Sequence, residues 1–263
     1  MKGIILAGGS GTRLYPLTKI TSKQLLPVYD KPMIYYPLNT LLKAGIKDIL
    51  IIVAPERSGD FLNLLGSGRE FGARFAYEVQ DQPRGIAEAF VIGKEFIAGD
   101  PCTLILGDNI YTDDFSEVIG SHKEGAKIFV KKVSDAKRFG VVEMDSAGKV
   151  LSIEEKPQHP KSDLAQTGLY IYDEKVTEYA SSLKPSGRLE YEITDLNNIY
   201  LEKGLLTAHE VKGEWIDAGT FESLHRASVV VREHELGIGK RKDSSLKVTI
   251  RENLALKEKE MAK

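Results

Sequence analysis

The chain opens on an apolar run, Gly3 to Ala7, that passes directly into glycines. A short run that is apolar at every position suits a strand covered on both faces. The pattern returns at Asp48 to Val53, Phe75 to Val79 and Thr103 to Leu106. Between these runs apolar positions recur at helical spacing, predicting helices over Met33–Ala44, stopped by Gly45, and over Ile86–Phe96. Buried strands alternating with helices make an α/β fold, a mostly parallel sheet with helices on both faces. Ligands of such sheets bind beyond the carboxyl ends of the strands, so chemistry is expected in the segments that follow them.

The second half has a different rhythm. Lys127–Val133, Gly140–Met144, Val150–Glu154, Gly168–Tyr172 and Leu206–Val211 read as strands. Helices are predicted over Tyr172–Ser182, Glu192–Lys203 and Thr220–Arg232, the last with Thr220 as its N-cap. Strands with few helices between them predict a smaller mixed-sheet lobe that walls the far side of the crevice. The expected architecture is Rossmann-like, one domain over residues 1–235, with a first lobe to about residue 125 and a second over about residues 126–220. Residues 236–263, with Lys240-Arg241-Lys242-Asp243, are expected to form a charged, solvated tail.

Composition narrows the function classes. Of 263 residues, 42% are hydrophobic and 28% charged, as in ordinary globular enzymes. Lys plus Arg number 36 against 38 Asp plus Glu, a net charge of -2, which excludes sequence-independent nucleic-acid binding. The one cysteine, Cys102, lies in an apolar run and reads as a buried structural thiol, with no disulfide and no cysteine zinc site. The N-terminal apolar run is too short for a signal peptide, and no segment approaches the ~20 apolar residues of a membrane span. A cytoplasmic protein with no membrane partner is expected.

Several segments carry chemistry. Leu6-Ala7-Gly8-Gly9-Ser10-Gly11-Thr12-Arg13 follows a strand, and its glycines let backbone amides crowd a phosphate beside the fixed charge of Arg13. It is neither a Walker loop nor a dinucleotide fingerprint, because Leu14 stands where the third glycine belongs. Lys23, just before Pro27, can reach over the same ligand. In Gln80 to Glu88, Gly85 permits the approach of a planar ring. Asp108 and Asp217 each follow an apolar run, and two carboxylates from distant parts of the chain can clamp a hard cation beside phosphate. Glu155 can accept from sugar hydroxyls, while Lys156 and Arg188 offer charge to a sugar phosphate. Taken singly, these residues also read as a Gly-rich turn, surface charges and turn aspartates.

The stretch Gly8 to Thr18, followed by Lys23-Gln24-Leu25-Leu26-Pro27, resembles the signature of the sugar nucleotidyltransferases, and the likeness runs to about Val231. It is strongest to members that use dTTP and glucose 1-phosphate. The resemblance implies Mg2+-dependent nucleotidyl transfer to the sugar 1-phosphate, with release of pyrophosphate. It implies that Leu6, Ala7, Gly8, Gly9, Gly11 and Thr12 wrap the nucleotide, that Arg13 and Lys23 are catalytic cations on the triphosphate, and that Gln80, Pro83 and Gly85 cradle the base. Asp108 would meet both nucleotide and Mg2+, with Asp217 as its metal partner. Asn109, Gly140, Glu155, Lys156, Thr167, Tyr170 and Arg188 would take the sugar phosphate.

The chain departs from the family pattern at Arg84, Glu88, Leu189 and Ala218, where Asp, Gln, Gly and Thr are usual. The first two keep a UTP-using enzyme open as an alternative. A non-catalytic sugar-nucleotide sensor is the other, against which Arg13, Lys23, Asp108 and Asp217 argue. The tail does not resemble the C-terminal helices of longer members, so neither a secondary nucleotide site nor a tetramer is expected, while a homo-oligomer stays open.

Overall fold

The computed structural model describes residues 1–9 and 11–236, so Ser10 and nearly all of the expected tail lie outside the described residues. The first half runs through β1 (Lys2–Ala7), the two-stranded ribbon β2 (Pro27–Val28) and β3 (Lys31–Pro32), α1 (Tyr35–Lys43), β4 (Asp48–Val53), α2 (Ser58–Leu65) and β5 (Arg74–Val79). It continues through α3 (Glu88–Ile92), α4 (Lys94–Ile97), β6 (Cys102–Leu106), β7 (Asn109–Tyr111) and α5 (Ser116–Gly120). The second half comprises β8 (Ala126–Lys132), β9 (Gly140–Met144), β10 (Val150–Glu155), β11 (Leu164–Tyr172), α6 (Val176–Ser182), α7 (Ile193–Glu202), β12 (Leu206–Glu210), β13 (Trp215–Asp217) and α8 (Phe221–Glu235).

The sheet order is β10-β9-β11-β6-β1-β4-β5, with β8 also paired to β11 and β12 beyond it. β6, β1, β4 and β5 are mutually parallel, with Ile4 opposite both Leu50 and Leu104. β11 then runs antiparallel to β6 and joins the strands of the second half to the same sheet. Alternation sorts the side chains of the central strands onto two faces. Ile4, Leu50, Ile52 and Leu104 pack with Phe90, Val176 and Leu196 on one face. Ile5, Ile49, Ile51 and Ile105 pack with Leu38, Leu41, Phe61 and Ile119 on the other. Both faces are therefore covered by helices, which is why these runs are apolar throughout.

Two departures from the sequence reading have physical causes. The helix expected over Ile86–Phe96 is two short helices broken at Gly93, where a Cβ would lie 2.9 Å from Leu50 Cδ2. β11 begins at Leu164 rather than Gly168, because its polar Gln166 and Thr167 face a cavity instead of a core. The helix α2 and the ribbon of β7 with β13 were not anticipated. The Thr220 cap is present as a capping box with Ser223, and Gly45 ends α1 with positive φ. Cys102 is fully buried, and burial raises its pKa, as a structural thiol requires. Among the described residues no helix is long and apolar enough to cross a membrane.

Candidate active site

Adjacent parallel strands place their following loops side by side. The glycine segment leaves β1 and Gly107-Asp108 leaves β6, and Gly107 N donates to Leu6 O at 2.9 Å. The ribbon of β7 with β13 sets Asp217 opposite Asn109, and Ala218 N donates to Asp108 O at 2.9 Å. Two aspartates more than a hundred positions apart thus meet at one rim.

Charge at this rim is unevenly satisfied. Lys23 Nζ donates to Asp108 Oδ2 in a largely buried ion pair. Burial opposes charge on both groups, but their mutual attraction wins, raising the Lys23 pKa and lowering that of Asp108. Asp217 has no such partner. Burial and then the neighbouring Asp108 push its pKa up to about 6, against the pull of Lys23 and Arg13. Its Oδ1 is buried with no hydrogen-bond partner. Gly219 lets Arg13 approach: a Cβ there would lie 2.8 Å from an Arg13 guanidinium nitrogen and 2.9 Å from Asp217 Oδ1.

An orphaned buried carboxylate oxygen beside a second carboxylate is a hard donor set that fits Mg2+, which commonly takes one or two protein carboxylates and completes its shell with phosphate and water. Among the described residues no group of three or more His, Cys, Asp or Glu could hold a metal, so the protein's share would be Asp108 and Asp217.

Two cavities meet here. The larger, of about 350 Å³, is lined by Asn109, Gly140, Glu155, Lys156, Thr167, Tyr170 and Arg188, together with Arg13 and Asp217. Its lining contains every residue expected at the sugar phosphate. The smaller, of about 190 Å³, is lined by Leu6, Gly9, Lys23, Gln80, Pro83, Gly85 and Asp108. Ala7, Gly8, Gly11 and Thr12, also expected at the nucleotide, are not in that lining. Asp108, Leu106, Ile86 and Glu190 belong to both walls. Arg13, expected with the triphosphate, belongs to the larger cavity although it follows the glycine turn.

On the smaller side, Gln80 Nε2 donates to Glu88 Oε2 at 2.9 Å and to Gly85 O at 3.2 Å, and Arg84 pairs with Glu88. Both partners only accept, so the Gln80 carbonyl is turned the other way, where a Cβ on Gly8 would lie 2.8 Å from it. The backbone ties this loop to the larger cavity: Tyr191 N donates to Arg84 O at 2.7 Å and Ala87 N to Tyr191 O at 3.1 Å. Gly85, at φ 102, faces the Tyr191 backbone where a side chain would collide.

On the larger side Arg188 is held by carboxylates. It donates to both oxygens of Glu192, at 3.1 and 2.7 Å, and to Glu155 at 3.1 Å. Glu155 also accepts from Thr194 Oγ1 at 2.6 Å. Leu189 takes φ 60, the left-handed conformation that favours glycine, the residue expected there from the resemblance. Asn109 lines the cavity, but its amide is engaged within the protein. Its Oδ1 accepts from Trp215 Nε1 at 2.6 Å and Gly168 N at 3.0 Å, and its Nδ2 donates to Asp108 at 3.1 Å. In the structure Asn109 orients Asp108.

Sequence reasoning missed Arg138, Gln166 and Trp215 in the larger wall, while Glu190 and Glu192 follow Arg188 in its own segment. The single tryptophan beside an Asp-Ala-Gly-Thr turn was an available signal. The others have none locally.

The profile of the nucleotidyl transferase family matches residues 2–234. The glucose-1-phosphate thymidylyltransferase of Neisseria meningitidis serogroup A is 55% identical over 239 residues, covering 88% of this chain and 83% of that one. A Bacillus anthracis protein assigned as a glucose-1-phosphate thymidylyltransferase, in complex with sucrose, superposes with TM-score 0.84 at 51% identity, covering 89% of this chain and 96% of that one. UDP-glucose pyrophosphorylase complexed with UDP-glucose superposes with TM-score 0.78 at 25% identity, covering 88% and 98%. A match over nearly the whole described chain, on a fold with two joined cavities at the strand ends, makes this protein a member of the nucleotidyl transferase family.

Proposed function

We propose that the chain transfers a thymidylyl group from dTTP to glucose 1-phosphate, giving dTDP-glucose and pyrophosphate, with Mg2+, in the cytoplasm. The observation that carries this reading is the pair of cavities joined at Asp108, one floored by glycines and Gln80, the other lined by Glu155, Lys156 and Arg188. Such a pair suits two phosphorylated substrates meeting end to end.

In the reaction a glucose 1-phosphate oxygen attacks the α-phosphorus of the triphosphate in line. The bond from that phosphorus to the bridging oxygen breaks, and pyrophosphate leaves with the electron pair. A phosphate monoester dianion is already a nucleophile, so no general base is needed. Two anions must be brought together, and the chain answers with positioning and charge. Lys23 stays protonated beside Asp108 and offers donors to phosphate oxygens. Arg13, braced on Gly219, stands by the shared rim where charge develops. Lys156 and Arg188 draw in the sugar phosphate. Mg2+ held by Asp108 and Asp217 would supply further neutralisation of phosphate oxygens.

Pyrophosphate release from the full chain, with Mg2+, glucose 1-phosphate and each of dTTP, UTP and CTP, tests the reading. The expected order has dTTP first. Faster turnover with UTP would favour a uridylyltransferase, the second reading, which the Arg84–Glu88 pair beside Gln80 motivates. No release with any triphosphate would leave a binding protein.

A further inference from the structure

β11 carries Gln166 and Thr167 within an otherwise mostly apolar strand. Its ladder with β8 shifts register between Gln166 and Tyr170. Gln166, Thr167, Gly168 and Tyr170 all line the larger cavity. An unbroken strand would send neighbouring side chains to opposite faces, so the irregularity is what brings consecutive residues to one wall.

The Gln166 amide ends a buried relay. Tyr172 Oη donates to Asn197 Oδ1 at 2.6 Å, and Asn197 Nδ2 donates to Gln166 Oε1 at 2.8 Å. Asn197 and Tyr172 are fully buried, and Gln166 nearly so. The relay has a direction. Burial pushes the Tyr172 pKa far up, so its hydroxyl keeps a proton that needs an acceptor. Asn197 Oδ1 is that acceptor. Asn197 Nδ2 can only donate, and therefore takes the Gln166 carbonyl. The end of Gln166 turned to the cavity is Nε2, which carries two hydrogens: the side chain reaches the Tyr170 hydroxyl, and a second N–H remains to be given. A Cβ on Gly140 would lie 3.4 Å from this nitrogen and 3.3 Å from Glu155 Oε2. A donor and a carboxylate acceptor thus flank one gap that Gly140 keeps open, and together they match neighbouring hydroxyls of a sugar.

We propose that Gln166 is a sugar-binding residue that donates its amide N–H to a hydroxyl oxygen of the bound sugar phosphate, with Asn197 and Tyr172 as positioning residues that fix its orientation. This rests on the larger cavity being the sugar side of the proposed reaction.

The test compares the full chain with Gln166→Val, which removes the donor, and Asn197→Asp, which accepts only and so turns the Gln166 nitrogen inward. Each variant should raise the KM for glucose 1-phosphate about tenfold, with kcat and the KM for dTTP within about twofold. A series of deoxyglucose 1-phosphates sharpens the result. One analogue should cost the parent chain about tenfold and cost Gln166→Val nothing further. An unchanged KM in Gln166→Val, or the same extra loss with every analogue, would overturn the proposal. If Asn197→Asp does not fold by circular dichroism, Gln166→Val and the analogue series decide alone. If the parent chain releases no pyrophosphate at all, the reaction reading fails separately. Calorimetric binding of glucose 1-phosphate then decides Gln166: about tenfold weaker binding to Gln166→Val supports the role, and equal binding overturns it.

Discussion

The two cavities are built from different materials. The smaller is lined by Gly9 and Gly85, by the apolar Leu6, Pro83, Ile86 and Leu106 and by the amides of Gln24 and Gln80, and its cation, Lys23, is paired with Asp108. The larger is richer in charged side chains, and one of its cations, Arg188, is held by Glu155, Glu190 and Glu192. Lys23 is paired with one carboxylate and Arg188 with three, so the larger side has more contacts to exchange for a phosphate and its affinity depends more on rearrangement. Arg13 crosses the division: it follows the glycine turn in sequence and lines the larger cavity in space.

That crossing predicts the largest effect. Arg13→Ala should lower kcat about 100- to 1,000-fold at saturating concentrations of both substrates, measured by pyrophosphate release, because its guanidinium lies against Gly219 at the rim where charge develops. Near-normal turnover would return Arg13 to an ordinary surface role.

Arg188→Leu should separate the two sides. The KM for glucose 1-phosphate should rise up to about 100-fold while the KM for dTTP stays within about threefold, since a charged hydrogen bond to phosphate is lost on one side only. An equal rise in both would mean that the tie through Tyr191 transmits the change, and that the two cavities bind as one.

The smallest effect concerns the rim itself. The Asp217 carboxyl has its pKa raised in the folded state, so the folded chain holds that proton more tightly than the unfolded chain does. The stability this gives is complete below the ordinary carboxyl pKa and is lost as pH rises from about 4 through about 6. Without Mg2+ or nucleotide, Asp217→Asn should therefore be more stable than the parent at pH 7.5, by on the order of 1–2 kcal/mol, and lose that advantage at pH 4. Thermal melts at the two pH values measure it. A variant less stable at both would show that the orphaned oxygen has an unseen partner.

Most of the framework was legible because each central strand is buried on both faces and therefore apolar at every position. Asp48–Val53 was read to its exact bounds for that reason. What stayed illegible depends on distance. The three-residue ribbon that brings Asp217 beside Asn109 pairs segments about a hundred positions apart, and strands so short have no period to read. The roles of single residues were harder still. Asn109 and Gln166 are both buried polar side chains in the larger wall, yet the Asn109 oxygen is taken by Trp215 and Gly168 and its nitrogen points to Asp108, while the Gln166 oxygen is taken by Asn197 and its nitrogen lies toward Tyr170 and the cavity. Only the partners, set by tertiary packing, distinguish them. Leu189 is the opposite case, a departure from pattern whose left-handed backbone marks where the glycine expected from the resemblance belongs.

The break in the β11 ladder bears on how such an enzyme can change. Around the smaller cavity, proposed above for the nucleotide, the lining hangs from connections after β5 and β6, where residues can be exchanged without disturbing the sheet. Around the larger cavity, proposed above for the sugar phosphate, Gln166 and Thr167 belong to a strand wedged between β6, β8 and β9, and the relay behind Gln166 runs through the core. Substitutions that retune the nucleotide can therefore accumulate one at a time. Those that retune the sugar must arrive in compensating sets, so lineages on this scaffold should drift in base preference more readily than in sugar preference.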